Sequence, residues 1–457
     1  MKSWNQLFVR HGWLVKEIES NVFDCSNETQ LNLEYLIYNL QKLELEFHFD
    51  GRILRMVSRS IPEEMWAEQL DFSYRGHGGW LWFEPGVEQP KIQELDFYIA
   101  GIVRQFNRLG FFTNMSCDGH GKRHPNVGVI REGDKGQQLR LLLDSLGYRD
   151  VRCIENKKYI KVIFPMDRNL LFDITEQLSI VDASILEEGG ALEEQLFYAE
   201  LEQLLSIEGV SGNERTIRNV VQKKLSPYVE FITVDNYGNL LAERTYGSGA
   251  GPTILLNAHL DVARELVSSR RIIKDNGIWS SDKGILGADD RAGISVLLNV
   301  ARYLHHNRVF NGRIKFVFTV EEEVGLVGAS NVADYFLWGV DAAVVVDRRN
   351  TGDIVTSCGG YIPFCDEAYG RFIEQTAINA GLMGWKCTAG GSSDTRIWAE
   401  HGIQSVNLSV GYNDEHTNAE RLDIEACYGT AKLIRALLGD WRTLCSVLRE
   451  IRRKQNV

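Results

Sequence analysis

Five residues of this chain are of the types that bind a hard or borderline divalent cation: His259, Asp289, Glu323, Asp347 and His416. Three of them lie in short clusters. Asn257-Ala258-His259-Leu260-Asp261 ends an apolar run. Gly287-Ala288-Asp289-Asp290-Arg291-Ala292-Gly293 is an acid pair between glycines. Thr319-Val320-Glu321-Glu322-Glu323-Val324-Gly325 is a triple glutamate. One such residue alone is usually a surface group or a cap. Five in suitable places, with a further acid beside one of them, form an inventory for holding metal and activating water. Cations of this kind lower the pKa of a bound water, and a nearby carboxylate can take its proton. This chemistry needs no nucleophilic side chain, and the chain has no GxSxG motif.

The clusters follow apolar runs or glycine turns, which places them where strands end or helices begin. Strands are expected at 229–235, 239–243, 253–257, 313–319 and 342–347. Helices are expected at 192–205, 216–225, 292–304 and 328–333. Ser211, with Glu214 three residues on, reads as a capping box for the 216–225 helix. Strands alternating with helices predict an α/β fold, a mostly parallel mixed sheet flanked by helices. Ligands of such sheets bind beyond the carboxyl ends of the strands, and His259, Glu322 and Asp347 each closely follow an apolar strand.

Residues 1–190 read as a separate N-terminal α+β domain, with 191–457 as the catalytic domain and Glu187-Glu188-Gly189-Gly190 as the linker between them. A helix over 29–43, a hairpin about Asp50-Gly51, a helix over 62–72 and an amphipathic helix over 93–109 come first. Strands at 110–115 and 126–130, a helix at 135–146, a strand pair at 151–154 and 159–164 and a helix at 169–180 follow. Two loops, Arg75 to Trp80 and Cys117 to Pro125, are polar, glycine-rich and histidine-bearing. Trp80-Leu81-Trp82-Phe83 reads as core or domain interface. The cationic end of the 440–454 helix suits the helix dipole.

The net charge of −12 disfavours nucleic acid as a partner. Residues 101–170 depart from it, with 13 Lys/Arg against 7 Asp/Glu, which is a mildly basic face or a preference for an anionic substrate group. No apolar run approaches the ~20 residues of a membrane helix, and the N-terminus lacks a signal-peptide core, so a cytoplasmic location is expected. The eight cysteines are scattered without a CxxC pair, as reduced thiols would be. No oligomeric state can be read from the sequence.

Residues from about 195 to 440 resemble the co-catalytic dizinc exopeptidases, the superfamily of glutamyl aminopeptidases, leucyl aminopeptidases and tripeptidases. The motifs are Gly209-Val210-Ser211-Gly212-Asn213-Glu214, Asp235-Asn236-Tyr237-Gly238-Asn239, His259-Leu260-Asp261, the Gly287–Gly293 and Glu322–Gly325 segments, Gly390-Gly391-Ser392-Ser393-Asp394 and Glu415-His416-Thr417-Asn418, in the family's order. The resemblance implies two divalent ions, zinc first and cobalt or manganese as alternatives. Asp289 would bridge them, His259 and Asp347 would complete one, and Glu323 and His416 the other. It implies Glu322 as general base, Asp261 as the residue orienting His259, and a cis Asp289–Asp290 peptide. Only 27 residues separate Asp261 from Asp289 and 68 separate Asp347 from His416, so neither gap holds the lid domain of many relatives. The N-terminal domain is then a candidate gate, with His77, His120 or Arg123 reaching the substrate and Asp394 shaping the pocket. The expected function is an exopeptidase, foremost an aminopeptidase acting on short peptides. An amidohydrolase or deacylase acting on N-acyl amino acids is the alternative, and a catalytically silent peptide-binding protein the reading from another class.

Overall fold

The strand leading to His259 carries Ile-Leu-Leu-Asn-Ala and is buried along both faces, as a central parallel strand requires. The structure, a computed structural model, describes residues 2–19, 21–72, 89–148, 150–183, 186 and 192–455. Two compact units are present, Met1–Leu196 and Phe197–Val457. His77, the Trp80–Phe83 run and the 187–190 linker lie outside the described residues.

The C-terminal unit is built on a nine-stranded mixed sheet. Its strands are β1 (Phe231–Val234), β2 (Leu240–Tyr246), β3 (Thr253–His259), β4 (Gly312–Thr319), β5 (Ala342–Arg348), β6 (Asp353–Cys358), β7 (Ile362–Pro363), β8 (Lys386–Gly390) and β9 (Gln404–Ser409). The order is β7-β6-β9-β5-β3-β4-β2-β1, with β8 paired to β6. The middle four, β9-β5-β3-β4, are parallel, so their carboxyl ends share one edge. The expected α/β architecture is what the chain adopts. Helices α1 (Ala288–His306), α2 (Asp394–Glu400) and α3 (Ile424–Gly439) flank the sheet. α1 and α3 pack into the main apolar core through Ile294, Leu297, Leu298, Leu433, Ile434 and Leu437.

Two features of this unit differ from the sequence expectation. The 27 residues between Asp261 and Asp289 contain a hairpin, Ile272–Asp275 with Ile278–Ser281, that joins Tyr412–Asn413 and Arg421–Asp423 in a second, four-stranded sheet. Ser211 does not cap the next helix. That helix runs from Arg215 to Leu225 behind Glu214, and the Ser211 hydroxyl donates to Asp261 instead. The buried carboxylate is a strong acceptor for the hydroxyl, and Glu214 already occupies the capping position of the helix.

The N-terminal unit holds two cores. One is aromatic, with Trp4, Phe8, Trp13, Phe23 and Trp66 at its centre. The other packs an antiparallel sheet (Thr113–Cys117, Asn126–Ile130, Tyr159–Ile163, Arg152–Glu155) with helices Ala100–Arg108, Lys135–Ser145 and Leu170–Ser179. Sequence periodicity starts the first of these helices at residue 93, but it begins at Ala100. The backbone carbonyl of Asp96 takes the N–H groups of Ile99 and Ala100, while its side chain accepts from Asp118 N. Asp96 is thus a turn-forming residue that an apolar pattern cannot reveal. A fully buried ion pair, Arg104 with Glu28, ties the unit together. Arg104 also donates to the carbonyls of Gly12 and Pro90, at 2.9 and 3.0 Å. Among the described residues no helix is long and apolar enough to cross a membrane, and all eight cysteines are free.

Candidate metal centre

The site forms where the parallel strands end. β3 delivers His259, β4 leads into Glu321-Glu322-Glu323, and β5 carries Asp347. Asp289 sits at the mouth of α1, where Gly287 takes a left-handed φ of 72° and the Asp289–Asp290 peptide is cis. His416 comes from a loop between two strands of the small sheet, at a φ of 62°. Glu321 is likewise left-handed, with φ 50°, a conformation uncommon for residues with a side chain and recurrent at functional turns. It turns the chain so that the N–H groups of Glu322 and Glu323 point back at Asp261.

The two oxygens of Asp289 face different partners. Oδ1 stands 3.0 Å from His259 Nε2, and that same nitrogen is 3.4 Å from Asp347 Oδ1. Oδ2 stands 3.0 Å from His416 Nε2, and that nitrogen is 2.8 Å from Glu323 Oε1. The structure thus gathers His259, Asp289, Asp347, Glu323 and His416 into one cluster, with Asp289 between two donor sets. Donor atoms of His259, Asp289 and Glu323 lie within 4.8 Å of one another, and so do those of His259, Asp290 and Asp347. Asp290 is occupied otherwise. Its oxygens accept the N–H groups of His259 (3.2 Å) and Gly293 (2.9 Å), so it braces the strand end against the helix start. Gly293 is required there, because a Cβ would stand 2.1 Å from Val346 O and 2.4 Å from Asp290 Oδ1.

These residues fit a divalent cation by their chemistry. His259 Nδ1 lies 3.1 Å from the Asp261 carbonyl oxygen and donates to it, so a neutral ring presents a lone pair at Nε2. That lone pair faces the carboxylate oxygens of Asp289 and Asp347. Acceptors set against acceptors need a cation between them, either a proton or a metal. Without metal the protons are held tightly. Burial opposes charge on His259, but Asp261, Asp289 and Asp347 outweigh it and raise the imidazole well above its ordinary range. Asp289 and Glu323 raise His416 to about 10. Burial, with Asp289 adding to it, pushes Asp347 up to about 7. Burial, then the charges of Asp347, Asp394 and Asp289, push Glu322 up to about 10.

Asp261 is the junction of the site. Its Oδ1 accepts from Glu322 N at 3.0 Å, and its Oδ2 accepts from Glu323 N at 3.1 Å and the Ser211 hydroxyl at 2.7 Å. Burial opposes ionisation, yet His259 and these donors hold the carboxyl down to about 2. It therefore fixes both the His259 ring and the backbone of the glutamate loop. Asp394 lies buried at the start of α2, where it accepts from Thr319 Oγ1 at 2.5 Å at the end of β4. His120 and Arg123 belong to a loop of the N-terminal unit, where His120 Nδ1 stands 3.1 Å from Asp118 Oδ1.

Several contributors carry no sequence signal. The Tyr412 hydroxyl donates to Asp347 Oδ1 at 2.9 Å. Asn407 accepts from Asp347 N and donates to Asp347 O, both at 2.9 Å. Glu420 accepts the N–H groups of Gly287, Ala288 and Asp289 and so holds the turn that presents the Asp289 carboxylate. Each lies 60 or more residues in sequence from its partner, and only its position four residues from His416 could have drawn attention to Tyr412 or Glu420.

Residues 266–433 match the family model of the M42 glutamyl aminopeptidases. A putative aminopeptidase of Acetivibrio thermocellus is 25% identical over 333 residues, covering 53% of this chain and 98% of that protein. The uncharacterized Bacillus subtilis protein YqjE is 24% identical over 246 residues, covering 50% of this chain and 60% of that protein. Peptidase T of Clostridium botulinum is 29% identical over 148 residues, covering 30% of this chain and 36% of that one. The chain thus spans less than two thirds of the length of YqjE and of peptidase T. The crystal structure of aminopeptidase PepT from Bacillus cereus superposes with a TM-score of 0.49 at 20% identity, over 55% of this chain and 99% of that one. The family match bears out the resemblance of the C-terminal unit to the co-catalytic dizinc exopeptidases.

Proposed function

From that resemblance as a premise, we infer that the protein is a metal-dependent exopeptidase, foremost an aminopeptidase that releases N-terminal residues from short peptides. The observation that carries this reading is the division of Asp289, with one oxygen toward His259 and Asp347 and the other toward His416 and Glu323. A shared carboxylate between two donor sets suits two cations, and zinc suits the mix of imidazole and carboxylate. When bound, such a pair polarises an amide carbonyl and makes a water acidic enough to ionise near neutral pH.

The chain's own residues do the rest. His259 is held in one tautomer by the Asp261 carbonyl, so Nε2 stays a donor of its lone pair. Asp261 locks the Glu322–Glu323 backbone, so the two side chains keep separate duties: Glu323 points to His416, and Glu322 remains uncommitted beside it. Glu322 takes a proton from the attacking water and returns it to the leaving amine nitrogen. The charge of bound cations would lower the proton affinity of Glu322 and leave it ionised, ready to accept this proton.

The test is the Glu322→Gln variant, with metal content and turnover measured together on a peptide library read by mass spectrometry. The variant should keep its metal and lose about 10²–10⁴-fold in turnover, and the wild type should shorten peptides from the amino end. A wild type loaded with zinc, cobalt or manganese that hydrolyses no peptide would overturn the reading. Cleavage confined to N-acyl amino acids would move it to the deacylases.

A further inference from the structure

The N-terminal unit carries a second group of metal-ligand side chains that the peptidase reading does not use. Asp96, Cys117, Asp118 and His120 each offer one donor atom, and these atoms all lie within 4.8 Å of one another. We propose that they form a mononuclear site for a zinc-class divalent cation. The proposal is independent of the activity assigned to the C-terminal unit.

The donors come from two places in the fold. Asp96 precedes the helix Ala100–Arg108, while Cys117 ends the strand Thr113–Cys117 and is followed by a short turn, Gly119–Gly121. The two places are joined by the Asp118 N–H, which donates to Asp96 Oδ2 at 3.1 Å. Asp118 Oδ1 accepts the His120 N–H at 2.8 Å and stands 3.1 Å from His120 Nδ1, while Asp96 Oδ2 stands 3.8 Å from His120 Nε2. Cys117 Sγ accepts the Gly119 N–H at 3.4 Å. The carboxylates are recessed, with side chains 10% and 6% exposed, and His120 is 46% exposed. The site therefore has an inner acidic wall and an imidazole at its mouth.

Turn-building alone explains the bond from His120 N to Asp118. It does not call for a histidine ring or a thiol aimed at the same point. One sulfur, one imidazole and two carboxylates are also the donors zinc accepts in fourfold coordination. Ligands ~2.0–2.3 Å from a tetrahedral ion stand ~3.3–3.8 Å apart, so closing the observed set requires movements of about an ångström or less. Charge balance agrees. Arg168 Nη1 is 3.7 Å from Asp118 Oδ2, its guanidinium held over the Tyr98 ring. Two carboxylates and a thiolate against that one arginine leave a charge of −2, which a dication neutralises. The binding step is balanced by release of the Cys117 thiol proton to solvent as the sulfur–metal bond forms.

Cobalt(II) reports on this site alone, because the centre in the C-terminal unit contains no cysteine among its donors. The full-length protein, reduced and stripped with chelator, is titrated with Co2+. A near-ultraviolet thiolate-to-cobalt charge-transfer band should grow to saturation as Co2+ is added and be displaced by Zn2+. Cys117→Ser should abolish the band while the control Cys387→Ser keeps it. His120→Asn should weaken the cobalt affinity that the band reports by about 10-fold or more, since even the loss of an outer partner of a ligand costs about 10–100-fold. Far-UV circular dichroism establishes that the variants fold. No band in the folded wild type, or a band that survives Cys117→Ser, overturns the proposal.

Discussion

Asp261→Asn is the most searching perturbation of the candidate centre, because it keeps size and shape and changes one donor pattern. The carboxylate accepts two backbone N–H groups, one at each oxygen, together with the Ser211 hydroxyl. An amide has only one carbonyl oxygen. In either orientation its NH2 faces the N–H of Glu322 or of Glu323, and one buried charge-assisted bond is lost. Such bonds contribute about 1.5–3 kcal/mol, and each 1.4 kcal/mol is a factor of ten. The variant should bind zinc about 10–100-fold more weakly, since the loop bearing Glu323 loses an anchor and His259 loses the carboxylate charge 3.4 Å from its Nδ1. The assay is competition with a chromophoric chelator, with thermal unfolding of the metal-free protein alongside. Ser211→Ala, which leaves both N–H groups bonded, is the comparison and should weaken zinc binding less than Asp261→Asn. Zinc affinity of Asp261→Asn within about twofold of wild type, at unchanged metal-free Tm, would refute the claim that this carboxylate holds the site together.

Further consequences can be measured directly. In the metal-free protein Glu322, Asp347, Asp394 and Glu420 bind protons more tightly than free carboxyls, with pKa values of about 10, 7, 6 and 7, all chiefly through burial; His416, at about 10, adds to them. Folded pKa values raised above the unfolded ones give stability that is complete below the unfolded values and lost as pH rises through the folded ones. The chelated protein should therefore melt lower at pH 8 than at pH 6, and added zinc should reverse the difference. Equal Tm at both pH values, measured by calorimetry with chelator, would contradict this. Tyr412→Phe removes the hydroxyl that donates to Asp347 and should lower zinc affinity about tenfold, read by the same competition assay. Gly293→Ala should destabilise the fold by about 3 kcal/mol or more in urea unfolding, because the new methyl meets backbone that cannot retreat. Arg104→Met strands the buried Glu28 carboxylate and should cost about 3–5 kcal/mol, read in the same way.

The sequence by itself determined the candidate donors and their order. His259, Asp289, Glu323, Asp347 and His416 are recognisable because metal chemistry restricts the residue types and because strand ends and glycine turns are local features. The α/β alternation was legible for the same reason, since a buried parallel strand such as Thr253–His259 must be apolar throughout. Local reading failed where a side chain far along the chain decides the outcome. Ser211 looks like a cap until Asp261 is beside it, and the helix expected from residue 93 waits for Ala100 because Asp96 is engaged with Asp118. Tertiary structure alone decided how the donors divide. Strand order β9-β5-β3-β4 sets the ends of non-consecutive strands side by side, and that brings Asp347 to His259. The small second sheet brings His416 back to the other oxygen of Asp289. Tyr412, Asn407 and Glu420 entered the site by the same route, because a hydrogen bond across 60 or more residues of chain depends on packing and leaves no periodic trace in the residues themselves.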